Sequence, residues 1–529
     1  MFGTKTNQRI FRIQGGNIGD ACTFVESLLE HRDVNKETAS ETLLVAEALL
    51  QKIVDYGIDE DTDLEIRGAD RLGEFRITFG FEGRVFARGE DTQDSVEDRI
   101  LDAYDDKLDY SYRSGYNAIS ISVNRSRRTS VRACAVATLA AIIAYLPLSL
   151  LFDARGQEGL LENYVFPLEQ MYANAMLMVG APMTFFSLLK NLTDTYVVSQ
   201  RDSDVRWLQL RTFATSAFAI LVAFVTFFAV SIAVSGVAGE ESAFGGSLNR
   251  SFADVVTSLI TPSIFEPFEA VSPIPLLAVA LLCTYALCST GKYFDALRQA
   301  MMACYVLFSR MLHVIIAALP LFCFLAVMDV LLDSGIESLV EMMGYLVIGI
   351  ACTLLLFATY VVRLRFHGVQ VIPFAKKLIP LLRENGIIGS AIDAAPYNVR
   401  YCSKVFGMNR AKLERNLPVL AELNLDGNCS ILMFYTLLFM FVTATEVSWL
   451  NLIGLALLIL FLSLGAPNQP GSILIGMLIV TTYLNTSGVI CDAIILEAFF
   501  GSAQNLINVV GDIVMVAIDD SKEKARAEQ

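Results

Sequence analysis

Residues 452–483 read LIGLALLILFLSL, then GAPNQPGS, then ILIGMLIVTTY. Two apolar stretches flank a break of glycine, proline and amide residues. Each stretch falls short of the roughly 20 residues an α-helix needs to cross a bilayer. Non-helical backbone at membrane depth is tolerated only where it is buried in protein or lines a cavity, because lipid offers it no hydrogen bonds. Interrupted segments near the midplane are where substrate and ion sites are built. The plainer alternative is an ordinary loop between ordinary helices, and the pattern alone leaves both open.

The sequence around this break has the same apolar character. Between residues 372 and 418 the apolar stretches are again short, broken by Asn385, Gly386, Gly389 and Pro396. Residues 430–443 form another apolar stretch, and a last helix is predicted over 489–518. Towards the N-terminus, residues 134–152 read CAVATLAAIIAYLPLSLLF, about one bilayer crossing. Further runs occupy 171–189, 213–234, 274–288, 315–332 and 342–362. The chain of 529 residues is 54% hydrophobic and 18% charged, against about a quarter charged in soluble domains. These features define a polytopic integral membrane protein. Arg125, Arg127, Arg128 and Arg132 sit just before the first run, and basic residues stay on the cytoplasmic side. The segment ahead of them is therefore predicted to be cytoplasmic. The first apolar run begins more than a hundred residues in, so no signal peptide is read.

That leading segment, residues 1–123, holds 25 Asp and Glu against 14 Lys and Arg. Its acidity argues against nucleic-acid or anionic-lipid binding. The ten cysteines are scattered, mostly in apolar runs, and read as small hydrophobes. The three histidines are too dispersed for a metal cluster. No nucleophile–base pair or phosphate loop is present, so no enzymatic activity and no cofactor are expected.

Two carboxylates stand in apolar surroundings. Asp426 lies in LAELNLDGNCSILMF, and Asp512 in NLINVVGDIVMVAI, with Asn508 one helical turn earlier. An ionised Asp in a membrane is costly unless it is paired or bound to something. Neither has Lys or Arg nearby in sequence. A hard cation held by carboxylate and carbonyl oxygens would satisfy both. The competing readings are a helix-ending turn at NLDGN and a cytoplasmic helix end at Asp512.

Four motifs carry a resemblance. They are TSAFA (215–219), NLDGN (424–428), SLGAPNQPG (463–471) and NVVGD (508–512). In this order and spacing, with YNVRYCSKVFGM and Pro418 between them, the region from about 130 onwards resembles the dicarboxylate/amino acid:cation symporters, the glutamate-transporter-like fold. The resemblance implies an all-α membrane domain over 130–520 with eight transmembrane helices plus two re-entrant helical hairpins. A small cytoplasmic α+β domain precedes it and a short cytoplasmic tail, 521–529, follows. It also implies a homotrimer in the plasma membrane, with a mobile transport part working against a scaffold. Implied cation ligands are Asn424, Asp426, Asn508 and Asp512, with Thr215 and Ser216 joining the first two. Ser463 and the carbonyl of Leu464 would close a second cation site. The coupling cation would be sodium, with a proton as the alternative. Implied substrate positions are Ser390, Asp393, Asn428, Ala466, Asn468, Gly501, Gln504 and Asn508.

The departures bear on the substrate. Amino-acid-carrying members use an Asp where Gly501 stands, to hold the amino group. Members carrying acidic substrates have an Arg at the place of Gln504, and an amide does not replace a bidentate guanidinium. The serine-rich first hairpin tip is reduced to Ser390, Ala391, Ile392 and Asp393. Asn428 replaces a Thr, and Glu422 stands where a small polar residue is usual. Glutamate and aspartate are therefore not the expected solutes; the expected solute is a small organic one of amino-acid or carboxylate type, and a neutral or cationic solute, with Asp393 or Glu422 as compensating charge, stays open.

In the acidic segment, residues 35–56 read as an amphipathic helix and DLEIRG, EFRITFGF and RVFAR as strands. The order faintly resembles part of the histidine-kinase-type ATPase fold around LLVAEALLQKIVDYG. Gln51 stands where an Asn would follow Glu47, and no DxGxG loop appears, so a regulatory or docking role is expected. Residues 91–110 are predicted to be a solvated helix leading to the membrane. Three functions compete: a cation-coupled solute symporter, a transporter-derived sensor signalling through the acidic domain, and an anion conductance on the same scaffold.

Overall fold

In the computed structural model, the described residues are 7–12, 18–32, 34, 36–55, 63–71, 74–82, 97, 100–101, 104, 107–113, 116–123, 130–201, 203–234, 247–248, 252–388, 391–442, 446–466, 471–484 and 490–527. The chain divides into two compact units, Met1–Arg127 and Arg128–Gln529.

The first unit is an antiparallel sheet of β1 (Asn7–Arg12), β2 (Asp63–Arg71), β3 (Glu74–Glu82), β4 (Leu108–Arg113) and β5 (Tyr116–Val123), in the order β1-β2-β3-β5-β4. Strict alternation in EFRITFGF puts Phe75, Ile77, Phe79 and Phe81 on one face. There they join Val25 and Leu29 of α1 (Ile18–Glu30) and Leu49 and Ile53 of α2 (Lys36–Asp55) in one core. The structure corrects the solvated-helix reading of 91–110. Leu101 and Tyr104 are buried, and Leu108–Tyr110 begins β4, paired with β5. The Asp-rich context hides these three apolar side chains, which the sheet recruits as part of its core. RVFAR lies outside the described residues.

The second unit is helical. Six of its helices are long and apolar enough to cross a membrane, or seven if a bent pair counts as one span. In chain order the main helices are α3 (Ser130–Leu151), α4 (Phe166–Arg201), α5 (Ser203–Val234), α6 (Pro273–Cys288), α7 (Phe294–Ile316), α8 (Leu319–Asp333) and α9 (Gly335–Phe366). Then come α10 (Val371–Ile388), α11 (Ala391–Tyr401), α12 (Arg410–Leu423), α13 (Asp426–Val442), α14 (Trp449–Gly465), α15 (Ser472–Leu484) and α16 (Ile490–Ala527).

Burial sorts these helices. Only 11% of the most apolar window of α3 is buried, with Ile143, Leu146 and Leu150 exposed, as befits a lipid-facing helix. The window over 415–441, spanning α12 and α13, is 94% buried. The apolar run at 315–332 is not one helix. It breaks at Ala317–Ala318, and Pro320 occupies the first turn of α8, where its missing N–H costs nothing. The helix α7, amphipathic and carrying Lys292 and Arg298 near its start, is itself long enough to span and was not among the expected crossings. The last helix runs past Ile518 to Ala527, through the expected tail. Good helix formers and a Lys524–Asp520 pair of 2.7 Å sustain it.

Candidate functional site

The gap between α12 and α13 is where side chains from four helices converge. Asn424 leaves the helix with φ −89° and ψ 90°, its N–H still bonded to Leu420. Asp426 then opens α13, an acid in the first turn of a helix, where the dipole favours it. Both are buried, at 0% and 1% exposure.

From α5, the Thr215 hydroxyl donates to Asn424 Oδ1 at 2.9 Å and the Ser216 hydroxyl to Asp426 Oδ1 at 3.2 Å. Ser216 also accepts the Leu425 N–H. From α9, the Tyr360 hydroxyl donates to Asp426 Oδ2 at 2.7 Å, and the Arg363 guanidinium lies 6.0 Å from the Tyr360 ring centre. From α16, Asp512 Oδ1 accepts from Asn424 Nδ2 at 3.0 Å. A carboxylate has no proton to give, so the amide must face it with nitrogen and meet Thr215 with oxygen. One turn earlier, Asn508 Oδ1 accepts the Gly427 N–H at 2.8 Å, and its Nδ2 turns to Asn428 at 3.4 Å. Thr215, Ser216, Asn424, Asp426, Asn508 and Asp512 are thus brought into one network.

Two glycines make this approach possible. A Cβ on Gly427 would stand 2.3 Å from the Gln504 carbonyl oxygen, and one on Gly511 2.6 Å from Asn424 Nδ2. Gly427 in NLDGN is therefore a point where α13 meets the backbone of α16, and Gly511 in NVVGD one where α16 makes room for the Asn424, Asp426 and Tyr360 side chains.

The second break lies between α14 and α15. Its tip is held by Glu497 of α16, whose carboxylate accepts the Gly471 N–H at 2.7 Å and the Leu474 N–H at 3.1 Å, capping the start of α15. A Cβ on Gly501 would meet Glu497 Oε1 at 2.2 Å. An aspartate at 501 has no room there while Glu497 reaches the hairpin tip. Gln504 donates to Ser472 Oγ, while its own Oε1 is buried without a partner, as is Ser463 Oγ. Asn428, Ser463, Ala466, Ser472 and Gln504 line a cavity of only about 10 Å³, room for one water and not for an organic solute.

The other expected positions lie as follows. The Leu464 carbonyl accepts from Asn191 at 2.8 Å and the Ala466 carbonyl from Ser187 at 3.4 Å, both from α4. Asp393 sits on α11, and its side chain lies outside the described part. Ser390 and Asn468 lie outside the described residues. NLDGN does end a helix, as its competing reading had it, while the cytoplasmic-end reading of Asp512 does not hold. NLDGN interrupts a buried helix pair, and Asp512 is 2% exposed with helix continuing to Ala527.

Sequence reasoning passed over Tyr360, Glu497 and Lys190. Glu497, an acid in AIILEAFF, was as legible as Asp512. Tyr360 carried no signal, since a tyrosine in an apolar helix is ordinary. Lys190, in FFSLLKNLTD, follows directly on the apolar run 171–189 and drew no reading of its own. Among the described residues no group of three or more His, Cys, Asp and Glu side chains could hold a metal ion. The oxygens here are a hard mixture of carboxylate, amide, hydroxyl and carbonyl, the set that suits a weakly held alkali cation.

A helical membrane domain with two broken segments meeting over buried carboxylates is the architecture of a secondary transporter. Residues 131–521 match the family model described as the sodium:dicarboxylate symporter family, and the chain belongs to that family. It is a multi-pass membrane protein of a transporter family, not an enzyme. The chain is 24% identical over 302 residues to a C4-dicarboxylate transport protein of Deinococcus deserti, covering 56% of this chain and 66% of the relative. It is 26% identical over 286 residues to C4-dicarboxylate transport protein 1 of Pseudomonas aeruginosa, covering 52% and 63%. The matches thus span just under two thirds of these relatives' lengths.

Proposed function

We propose that the chain imports a small carboxylate-bearing solute without an amino group, coupled to sodium bound at the Asp426–Asp512 network. One observation carries the solute class. Among the described residues the one acid beside the Gly501 position, Glu497, has both oxygens turned to backbone N–H groups at the start of α15. No carboxylate is left there to hold an ammonium group, whereas the amides of Asn428, Asn508 and Gln504 suit a carboxylate. The relatives' designation as C4-dicarboxylate transport proteins supports the same class.

The coupling follows from the spacing of α16. A cation between Asp426 and Asp512 would offset their charges and fix Asn424 and Asp512. Asn508, one turn away, then holds its amide toward Asn428 and the solute cavity. Cation binding therefore orders a solute contact, which is a coupling free energy between two sites. The closed cavity requires the second hairpin to lift before a solute enters. In this reading the helix pairs α10–α11 and α14–α15 are re-entrant hairpins, transport is of the elevator type, and the assembly is a trimer in the plasma membrane. Both termini face the cytoplasm, and the acidic unit is a regulatory or docking domain.

The test is uptake of radiolabelled succinate and L-aspartate by purified protein in liposomes, with and without an inward sodium gradient. Sodium-dependent succinate uptake, with L-aspartate at least about tenfold weaker for want of an ammonium partner, is expected. Preference for L-aspartate, or succinate uptake indifferent to sodium, would overturn it.

A further inference from the structure

One face of α4 docks along both helix breaks. Thr184, Ser187, Leu188 and Asn191 recur at helical spacing, and each meets the end of α14. A Cβ on Gly465 would lie 3.0 Å from the Thr184 carbonyl oxygen and 3.3 Å from the Leu188 Cβ. Ser187 and Asn191 bond the Ala466 and Leu464 carbonyls. Between them Lys190, 9% exposed, places its Nζ 2.6 Å from Glu422 Oε1, at the last turn of α12. Asp194 lies 3.4 Å from the same ammonium, and is itself held by Arg298 at 2.6 Å. The Tyr305 ring centre lies 5.7 Å away.

These are the surroundings that the family resemblance assigns to a second cation, bounded by Ser463, Leu464 and the end of α12. Here the carbonyl is already satisfied by an amide, and the carboxylate by an ammonium. We propose that Lys190 is a tethered cation that takes the place of a second exchangeable ion, so that this chain couples to one cation fewer than its fold could accommodate. A covalently attached ammonium does not leave with the solute. It locks the α12 end to α4, beside the Ser187 and Asn191 contacts that hold the second hairpin there, without drawing on the external cation gradient. Glu422, which replaces a small polar residue, is the acceptor that makes the ammonium stable there, since a buried ammonium without a partner is strongly disfavoured.

The inference rests on the transport reading but is tested apart from it. Thermal unfolding of purified protein without solute is measured across a series of NaCl concentrations, with choline chloride holding ionic strength constant. A ion that binds only the folded state raises the melting temperature by mass action. Lys190→Met leaves Glu422 unpaired and is expected to add a sodium-dependent rise in melting temperature that wild type lacks. Lys190→Met combined with Glu422→Gln is expected to lose that added rise. Glu422→Gln alone, the variant least demanding of the fold, is expected to leave the sodium response as in wild type. A fall in the sodium response of Glu422→Gln would mean that Glu422 holds an exchangeable ion, and would overturn the proposal. So would a folded Lys190→Met protein with the wild-type response. If wild type shows no sodium response but Lys190→Met gains one, the sodium-coupling reading fails and this inference stands.

Discussion

The two helix breaks solve the same problem with different chemistry. Each leaves backbone groups unpaired inside a membrane domain, and each must find partners for them. At the first, between α12 and α13, the partners are side chains gathered from α5, α9 and α16, and two buried carboxylates, Asp426 and Asp512, are drawn into one network. At the second, between α14 and α15, one carboxylate spends both oxygens on backbone N–H groups, and α4 supplies an amide and a hydroxyl, while its ammonium goes to Glu422 at the end of α12. In the proposed reading the first break keeps negative charge in reserve for an ion. The second is already neutralised by groups that never leave. A binding site and a latch are thus distinguished by what remains uncompensated rather than by the break itself.

The largest expected effect tests the first break directly. Among the described residues Asp512 accepts one side-chain hydrogen bond, from Asn424, where Asp426 accepts two, from Ser216 and Tyr360. Asp512→Asn keeps the shape and removes the less compensated charge, so sodium-dependent solute binding should disappear while the melting temperature without sodium is kept. Calorimetric binding titrations in sodium and in choline would read this. Unchanged sodium dependence would return Asp512 to a purely structural role.

Next in size is Gly427→Ala. The added carbon would lie 2.3 Å from a backbone oxygen, which cannot swing aside as a side chain can. Overpacking of a tight core costs typically 1–3 kcal/mol, and a fixed backbone neighbour puts this case at about the upper end. A clear drop in melting temperature, with loss of the Asn508 contact and of solute binding, is expected. A wild-type melting curve would show that α13 and α16 do not meet as described.

The smaller effect probes the second break. Glu497→Gln turns one of two acceptors into a donor that faces a backbone N–H. Leaving a buried donor unsatisfied costs about 1–3 kcal/mol, partly relieved if the tip shifts. The melting temperature should fall modestly, and solute affinity with it, while the sodium dependence of binding keeps its slope. A lost sodium response in this variant would merge the two breaks into one ion site and erase the contrast between them.

Much of this was legible in the sequence because the signals are local. Apolar runs, the Gly/Pro break at 465–471, the NLDGN and NVVGD motifs and the alternation in EFRITFGF each follow from residues a few positions apart, and each marked an element that the structure contains. The apolar count alone established a membrane protein. What the sequence left undecided concerns groups that meet across long separations. The amphipathic helix α7 hid its span, because Arg298, Arg310 and His313 interrupt its apolar run, and only in space does Arg298 find Asp194 of α4. The strand β4 hid behind acidic neighbours, with Leu108 its one buried apolar side chain among the described residues, whereas β5, with Ile119, Ile121 and Val123 buried in alternation, carried a legible period that the reading passed over. Gly501 read as a lost acid, yet only the packed structure shows Glu497 standing over it. Lys190 and Glu422 are 232 positions apart, and neither residue announces the other. Charge compensation is a property of distance in space, and at membrane depth it decides which carboxylate waits for an ion and which already has its partner. The residues available for that choice were fixed by sequence, and their pairing was decided by tertiary structure.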